Sequence, residues 1–121
     1  MNGVEFLALL DKKALVIGAV CSKTEELQKR IRSNNFSEIT AIDSVREGLI
    51  RELIETDRML EKFKEPEPDI SEKAKTKMKN INSSLDYLIK LEKENDTLLE
   101  LAQISFSGEY ITAYKTYKRP K

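Results

Sequence analysis

Few side chains in this sequence are suited to chemistry. The chain contains no histidine and a single cysteine, Cys21, so the commonest general base is absent and a zinc site built on several thiolates cannot form. Acidic residues stand close together at Glu25 and Glu26, and again at Glu92 and Glu94. Catalytic acids and bases must converge in a concave pocket, whereas near neighbours on one helix point apart. We therefore predict a protein that is not an enzyme and that needs no cofactor or metal.

Cys21 and the apolar run before it bear on where the protein resides. One cysteine cannot form an internal disulfide, which favours a reducing compartment, and we expect a cytoplasmic protein in which Cys21 is a buried small hydrophobic residue. The alternative is a periplasmic lipoprotein, because residues 12–21 combine a basic pair, an apolar run and a cysteine. Acidic Glu5 and Asp11, and Val20 in place of a small residue, argue against that signal. The run is also too short to cross a bilayer, so no membrane insertion is expected.

The C-terminal segment, residues 109–121, is rich in tyrosine and basic residues. Tyr110, Tyr114 and Tyr117 are spaced to share one face of a short helix. Tyrosine provides a large contact area at a small loss of entropy, so this face, with Ile111, is a candidate partner-binding surface. The same pattern is equally typical of a fourth helix folded onto its own bundle, and both interpretations stay open.

The composition indicates long surface helices in a single domain. Of the 121 residues, 35% are charged and 40% are hydrophobic, with only four glycines and three prolines. Lysine plus arginine and aspartate plus glutamate both number 21, so the formal net charge is zero. Because no overall basic field attracts phosphate, nucleic acid is not an expected partner.

The apolar spacing predicts two long helices in the first half of the chain. The first covers about 4–33, and its apolar stripe is wide enough to contact two neighbouring helices. This stripe comprises Leu7, Leu10, Ala14, Ile17, Cys21, Thr24 and Ile31. The residues that widen this stripe are Leu15, Val16, Val20 and Leu27. The second helix starts at a capping signature, Asn35 followed by Glu38, and covers about 36–64. Its predicted core stripe comprises Ile39, Ile42, Val45, Leu49, Leu53, Leu60 and Phe63, and its predicted solvated side comprises Asp43, Arg46, Glu47, Arg51, Glu52, Glu55 and Arg58.

A third helix is predicted after a stiff link that contains Pro66 and Pro68, since neither proline continues a helix. It begins at the capping signature of Asp69, covers about 70–107 and carries Asn95 as a polar register residue. Its stripe comprises Ala74, Met78, Ile81, Leu85, Leu88, Leu91, Asn95, Leu98 and Ala102. Short connections favour antiparallel neighbours. The predicted fold is all-α: an elongated antiparallel bundle of three long helices within 1–108, and a short C-terminal helix or tail over 109–121.

Four stretches of the sequence are similar to one known family. They are the polar turn of 31–39, the second-helix run of 42–53, the third-helix section of 88–99 with its double leucine, and the small, tyrosine and basic residues of 113–117. Together they resemble the flagellar type III export chaperones of the FliT and FlgN type. Such proteins are small and helical, and they bind late export substrates, which are the filament-cap or hook-junction proteins. Some also bind an export ATPase or a transcriptional regulator. The stiff proline link and the basic end after Tyr117 depart from the family pattern.

The resemblance implies a cytoplasmic chaperone that binds the terminal helix of a late export substrate and prevents its premature assembly. A long, thin bundle leaves apolar surface uncovered, and we expect that surface at the end of the third helix and in the tail. The predicted partner-binding residues are Leu98, Leu99, Ala102, Phe106, Tyr110, Ile111, Tyr114 and Tyr117. The alternative is a structural coiled-coil or adaptor protein that buries its uncovered apolar surface in a homodimer or larger homo-oligomer.

Overall fold

The computed structural model describes residues 3–63 and 68–102 of the chain. Its elements are helix α1 (Gly3–Arg32), a short 3-10 turn (Phe36–Glu38), helix α2 (Ile39–Leu60) and helix α3 (Pro68–Ala102). Within those two ranges no residue belongs to a strand. The all-α prediction is therefore confirmed. Residues 103–107 of the predicted third helix and the segment 109–121 lie outside the described residues.

Helix α1 ends in a turn centred on Asn34. This residue has a positive φ of 60°, a conformation that asparagine tolerates better than most residues. The Asn35 amide donates to the Arg30 carbonyl over 2.8 Å. The Asn34 amide donates to the Ile31 carbonyl over 3.1 Å. These two hydrogen bonds satisfy carbonyls of the last helical turn, as in a Schellman motif.

The starts of α2 and α3 differ from the prediction. Asn35 makes no side-chain capping hydrogen bond; instead its Oδ1 accepts a hydrogen bond from the Ser37 hydroxyl over 3.0 Å. The next three residues form the 3-10 turn, so α2 covers Ile39–Leu60 rather than 36–64. Helix α3 already includes Pro68, so it begins before the predicted capping residue, Asp69. Proline is tolerated there, since the amides of the first turn have no partner within the helix.

Helix α1 packs along both other helices, whereas α2 and α3 approach each other at few positions. This confirms the prediction that α1 contacts two neighbours. Polar pairs fix the order of the contacts: Lys13 with Asp57 and Arg30 with Glu38 on the α2 side, and Asp11 with Lys77 and Gln28 with Glu94 on the α3 side. Residue numbers therefore fall along α2 and rise along α3 as they rise along α1. Helix α1 lies beneath the seam between the other two.

Two apolar clusters form the core, one towards each end of α1. The first comprises Leu27, Ile31, Phe36, Ile39, Ile42 and Leu99. The second comprises Leu10, Ile17, Ala74 and Ile81, with Phe6, Leu7, Cys21, Leu53, Leu60 and Leu85 packed against it. Each fully buried Leu, Ile or Phe side chain contributes roughly 1.5–3 kcal/mol, so these clusters hold the helices together.

A buried polar layer lies between the two clusters. It consists of Thr24, Asp43, Arg46, Asn95 and the less buried Glu92. The Arg46 guanidinium donates to Asp43 Oδ1 and Glu92 Oε2, and its Nε donates to Thr24 Oγ1 over 3.0 Å. The amide of Asn95 donates to the Thr24 carbonyl over 3.4 Å. One cation thus connects side chains from all three helices.

This layer corrects the predicted faces of α2. Asp43 and Arg46 were expected on the solvated side, but they are only 2% and 3% exposed. Val45, which was expected in the core, is exposed. A change of one position rotates the stripe by about 100°, so the core face of α2 passes through Arg46 instead of Val45. Asn95 is fully buried, which confirms its predicted place in the core.

Two further residues predicted to face the core are also exposed. Leu15 of α1 is 75% exposed, because it lies on the side of α1 that meets neither α2 nor α3. Met78 of α3 is 47% exposed, because it lies where α2 and α3 stand apart.

We predict that Arg46→Met lowers the free energy of unfolding by about 3–5 kcal/mol, because it leaves the Asp43 and Glu92 carboxylates without their cation. Adding Asp43→Asn and Glu92→Gln should restore most of that stability, since the whole charged group is then removed. Urea unfolding followed by circular dichroism measures both changes.

Arg51→Met is the matched control for that prediction. Arg51 also lies on α2 and pairs with a glutamate, Glu47, but its side chain is 68% exposed. Its loss should change the free energy of unfolding by less than about 1 kcal/mol. Similar losses in Arg46→Met and Arg51→Met would contradict a buried charged layer.

Burial raises the pKa of the Asp43 carboxyl above its ordinary value of 3.8, and this effect exceeds the opposing effect of Arg46. The second carboxylate oxygen of Asp43 accepts no hydrogen bond from the described residues, which agrees with a poorly solvated anion. Between pH 3.8 and the raised pKa the folded chain holds this proton more tightly than the unfolded chain. The contribution of Asp43 to stability therefore falls as the pH rises through that window.

We predict that Asp43→Asn gains stability relative to the parent chain as the pH rises from about 3.8 towards neutrality. The comparison cancels the titration of carboxyl groups that both chains share. Urea unfolding of the two chains at a series of pH values measures the difference. A difference that stays constant across the series would contradict the raised pKa.

Candidate protein-binding groove

The helices leave an open apolar groove above α1, between α2 and α3. A pocket within this groove has a volume of about 340 Å³. Three residues from each helix line it: Phe6, Leu10 and Lys13 of α1, Asp57, Leu60 and Glu61 of α2, and Met78, Ile81 and Asn82 of α3. Helix α1 therefore forms the floor and the other two helices form the walls.

The spacing of residues along α2 and α3 extends these walls towards the polar layer. On α2, residues 50, 54, 57 and 61 recur at intervals of four, three and four, so they share one face. On α3, residues 78, 82, 85 and 89 recur in the same way. Contacts with α1 follow opposite orders along α2 and α3, and Glu61 and Met78 line the same pocket, so this spacing puts Ile50 and Ile54 at about the level of Ile89 and Leu85. We call the surface between 50–61 and 78–89 the α2–α3 groove.

Apolar side chains in this groove are left open to solvent. Ile54 of α2 is 51% exposed, Ile89 of α3 is 52% exposed, and Met78 is nearly as accessible. Leu60 and Leu85 are partly buried and continue the surface down to the core cluster beneath. Single exposed apolar residues are ordinary on protein surfaces, but a contiguous set that flanks a concave floor is typical of an interaction site.

Charged side chains occupy the end of the groove that is remote from the polar layer. Lys13 Nζ lies 2.8 Å from Asp57 Oδ1, so these two charges compensate each other. Glu61 is exposed, and its side chain forms no ion pair with a described residue. Below this end, the rings of Phe6 and Phe63 pack with their centroids 5.7 Å apart. The groove is thus apolar along its length and acidic at this end.

The predicted partner-binding residues do not line this groove. Leu99 is fully buried in the first apolar cluster, and Leu98 packs against that cluster. Neither residue is available as open apolar surface, because α1 and the 3-10 turn cover that part of α3. Next to them, Leu101 is 61% exposed. Ala102 ends α3, and nothing further is described of its side chain.

The rest of the predicted site lies outside the described residues. It comprises Phe106, Tyr110, Ile111, Tyr114 and Tyr117. Their role in binding stays a prediction.

Sequence reasoning missed Ile54, Ile89 and the role of Met78. Ile54 lies one position from Leu53, and Ile89 lies one position from Leu88, so each looks like an addition to the core stripe. Each of the two helices carries a second row of apolar residues, one position away from its predicted core stripe, and this row is visible in the sequence. A second row indicates a second contact face, but only the positions of the helices reveal that this face is uncovered.

Other groups that are suited to chemistry are accounted for by local contacts. The Tyr87 hydroxyl donates to Glu25, and this hydrogen bond raises the pKa of the tyrosine. The Cys21 thiol is partly buried and lies 3.8 Å from the Ser84 carbonyl. Burial raises its pKa, and the nearby Glu25 and Glu92 carboxylates add to the effect. A raised thiol pKa means less thiolate and a less reactive cysteine.

Metal sites, membrane-spanning helices and similarity to known proteins also bear on function. Within residues 3–63 and 68–102, no three His, Cys, Asp or Glu side chains are grouped so that they could hold a metal ion. None of the helices described there is both long and apolar enough to span a membrane. Comparison with protein-family models, curated proteins and solved structures finds no match. The groove is therefore the feature of the described residues that bears most directly on function.

We predict that the Cys21 thiol reacts with an aromatic disulfide reagent at pH 8 at least about tenfold more slowly in the folded chain than in the same chain unfolded in urea. The control is Cys21→Ser combined with Ser22→Cys, which moves the thiol to an exposed neighbouring position. Equal rates for the parent and this control would contradict the shielding of Cys21.

Proposed function

We propose that the protein is a cofactor-free chaperone that holds an amphipathic helix of a partner protein in the α2–α3 groove. The observation that carries this proposal is the open pocket between α2 and α3 above an apolar floor, together with the exposure of Ile54 and Ile89, which the helical spacing puts on the same faces as the pocket-lining residues of α2 and α3. Helices bind other proteins in grooves of this kind by inserting one apolar face. The charged groups that line the groove give a catalytic role less support, because Asp57 is paired with Lys13 and Glu61 is exposed to solvent.

The geometry of a helical bundle supports a helix as the occupant. Helix α1 contacts two helices that barely contact each other, so the seam between α2 and α3 has the form of an unfilled position in a four-helix bundle. A helix placed there contacts α2 and α3 at once and covers Ile54, Met78 and Ile89. An extended peptide is less suited, since the helices offer it no unpaired backbone groups for hydrogen bonding.

The resemblance described above supplies the identity of the partner. We propose that the bound helix is the terminal helix of a late flagellar export substrate of the filament-cap or hook-junction type. Binding would take place in the cytoplasm and prevent premature assembly, with the export apparatus as a further partner. We also propose that the fold is an elongated antiparallel bundle of three long helices, in which residues 109–121 form a short C-terminal helix or tail. The opposite order of contacts along α1 and α2 supports the antiparallel arrangement.

One observation favours a second function, a structural protein that acts as a homodimer or larger homo-oligomer. Val4 and Leu15 lie on the side of α1 that contacts neither α2 nor α3, and both are more than 70% exposed. A second copy of the chain would cover that face. Light scattering distinguishes the two functions. A stable oligomer that Leu15→Glu dissociates supports the structural role, and a monomer with an open groove supports the chaperone.

We predict that Ile54→Glu and Ile89→Glu each weaken binding of the terminal helix by about tenfold or more, which corresponds to roughly 1.4 kcal/mol. A charge on either wall would be desolvated beneath the apolar face of the bound helix. Fluorescence anisotropy with labelled peptides, taken from the terminal helices of the filament-cap and hook-junction proteins of the same organism, measures the Kd.

Val45→Glu is the matched control for these variants. Val45 is exposed to a similar degree and lies on the same helix as Ile54, but nine residues or about two and a half turns away, on the opposite side. Its Kd should equal that of the parent chain. Thermal unfolding of every variant establishes that the fold is retained. Unchanged affinity in both groove variants, or no binding of any terminal-helix peptide to the parent chain, would overturn the proposal.

A further inference from the structure

The two ends of the α2–α3 groove differ, and this difference limits what the groove accepts. At one end the side chain of Arg46 reaches from α2 to Glu92 of α3. Arg46 is almost completely buried, so side chains fill the seam between the helices there. Two turns further along α2, Ile54 is half exposed, and the seam is open to solvent. The polar layer therefore closes the groove at this end.

At the other end the groove is open and carries excess negative charge. Of the three charged residues that line it, Lys13 and Asp57 form an ion pair, which leaves Glu61 uncompensated by any described residue. Across the groove from Glu61, α3 contributes Met78 and Asn82, neither of which is charged. A helix that lies in the groove ends beside this carboxylate.

We propose that the α2–α3 groove accepts about four turns of a partner helix, oriented so that a basic side chain in its terminal turn lies against Glu61. The inference rests on the proposed function and adds the length and direction of the bound helix. The length follows from the distance between Met78 and Glu92, which are 14 positions apart and therefore about 21 Å apart along α3. The direction follows from charge, because the closed end holds a cation that is already compensated, whereas the open end carries the Glu61 carboxylate, which forms no ion pair with a described residue.

The charge preference is tested with two synthetic amphipathic peptides of 14 residues. They share one leucine stripe and differ only in a lysine or a glutamate in the last turn. Calorimetric titration of the full chain should give a Kd for the lysine peptide that is lower by roughly fivefold, because attraction replaces repulsion at a partly exposed site. The preference should shrink in high salt. In the Glu61→Lys variant the preference should reverse, so that the glutamate peptide binds with the lower Kd.

The length limit is tested with two 21-residue peptides that extend the lysine peptide away from its charged turn. One continues the leucine stripe through the added residues, and the other has alanine at those positions. Equal length and similar helix content make them a matched pair. Because the Arg46–Glu92 bridge closes the groove, the two should bind with the same Kd. Tighter binding of the longer stripe by tenfold or more would overturn the limit.

The outcomes separate this inference from the proposed function. If neither 14-residue peptide binds, the proposed function and the inference both fail. If both bind equally, and Ile54→Glu weakens both, the groove binds helices but Glu61 does not set their direction, so only the inference fails. If Glu61→Lys reverses the preference while Ile54→Glu weakens both peptides, both stand.

Discussion

The structure depends on one buried cation. A guanidinium group cannot lose its proton under ordinary conditions, so Arg46 must keep its charge inside the bundle, where charge is expensive to bury. Its compensation comes from Asp43 on its own helix, from Thr24 on α1 and from Glu92 on α3. A slip of one turn along any of these helices would separate the cation from a partner. The polar layer therefore fixes the register of three helices whose apolar clusters alone would tolerate other alignments.

The same interaction explains why the bundle is closed in one place and open in another. Arg46 draws α2 to α3 at the polar layer, and the first cluster continues that close packing towards the end of α1. On the other side of the layer, α1 alone connects the two outer helices, and the second cluster takes most of its buried residues from α1 and α3. The groove results from this asymmetry. Its walls are apolar because α2 and α3 each have more hydrophobic surface than α1 alone can cover.

The sequence was sufficient to identify the helices but not their faces. Periodic apolar residues, the turn at Asn34 and the proline link before α3 place the three elements to within a few residues, because these signals act through local backbone geometry. The rotation of α2 could not be read in the same way. Arg46 and Val45 are adjacent, and hydropathy assigns the valine to the core, whereas the partners Thr24 and Glu92 that retain the arginine there are remote in sequence. Leu99 was included in the predicted partner-binding surface for a similar reason, since it is as apolar as Ile54 or Ile89, but it is fully buried.

Sequence alone determined the helical class, the number and approximate limits of the described helices, the contact of α1 with two neighbouring helices and the burial of Asn95. Each depends on residue type and on spacing within a single helix. Only the tertiary structure decided that Asp43 and Arg46 lie inside, that Leu15 lies outside, and that the open apolar surface runs between α2 and α3. The physical reason is that exposure is a property of the gap between helices. The width of that gap depends on how the apolar faces of all three helices and the charged layer pack together. The sequence of a single helix does not contain this information.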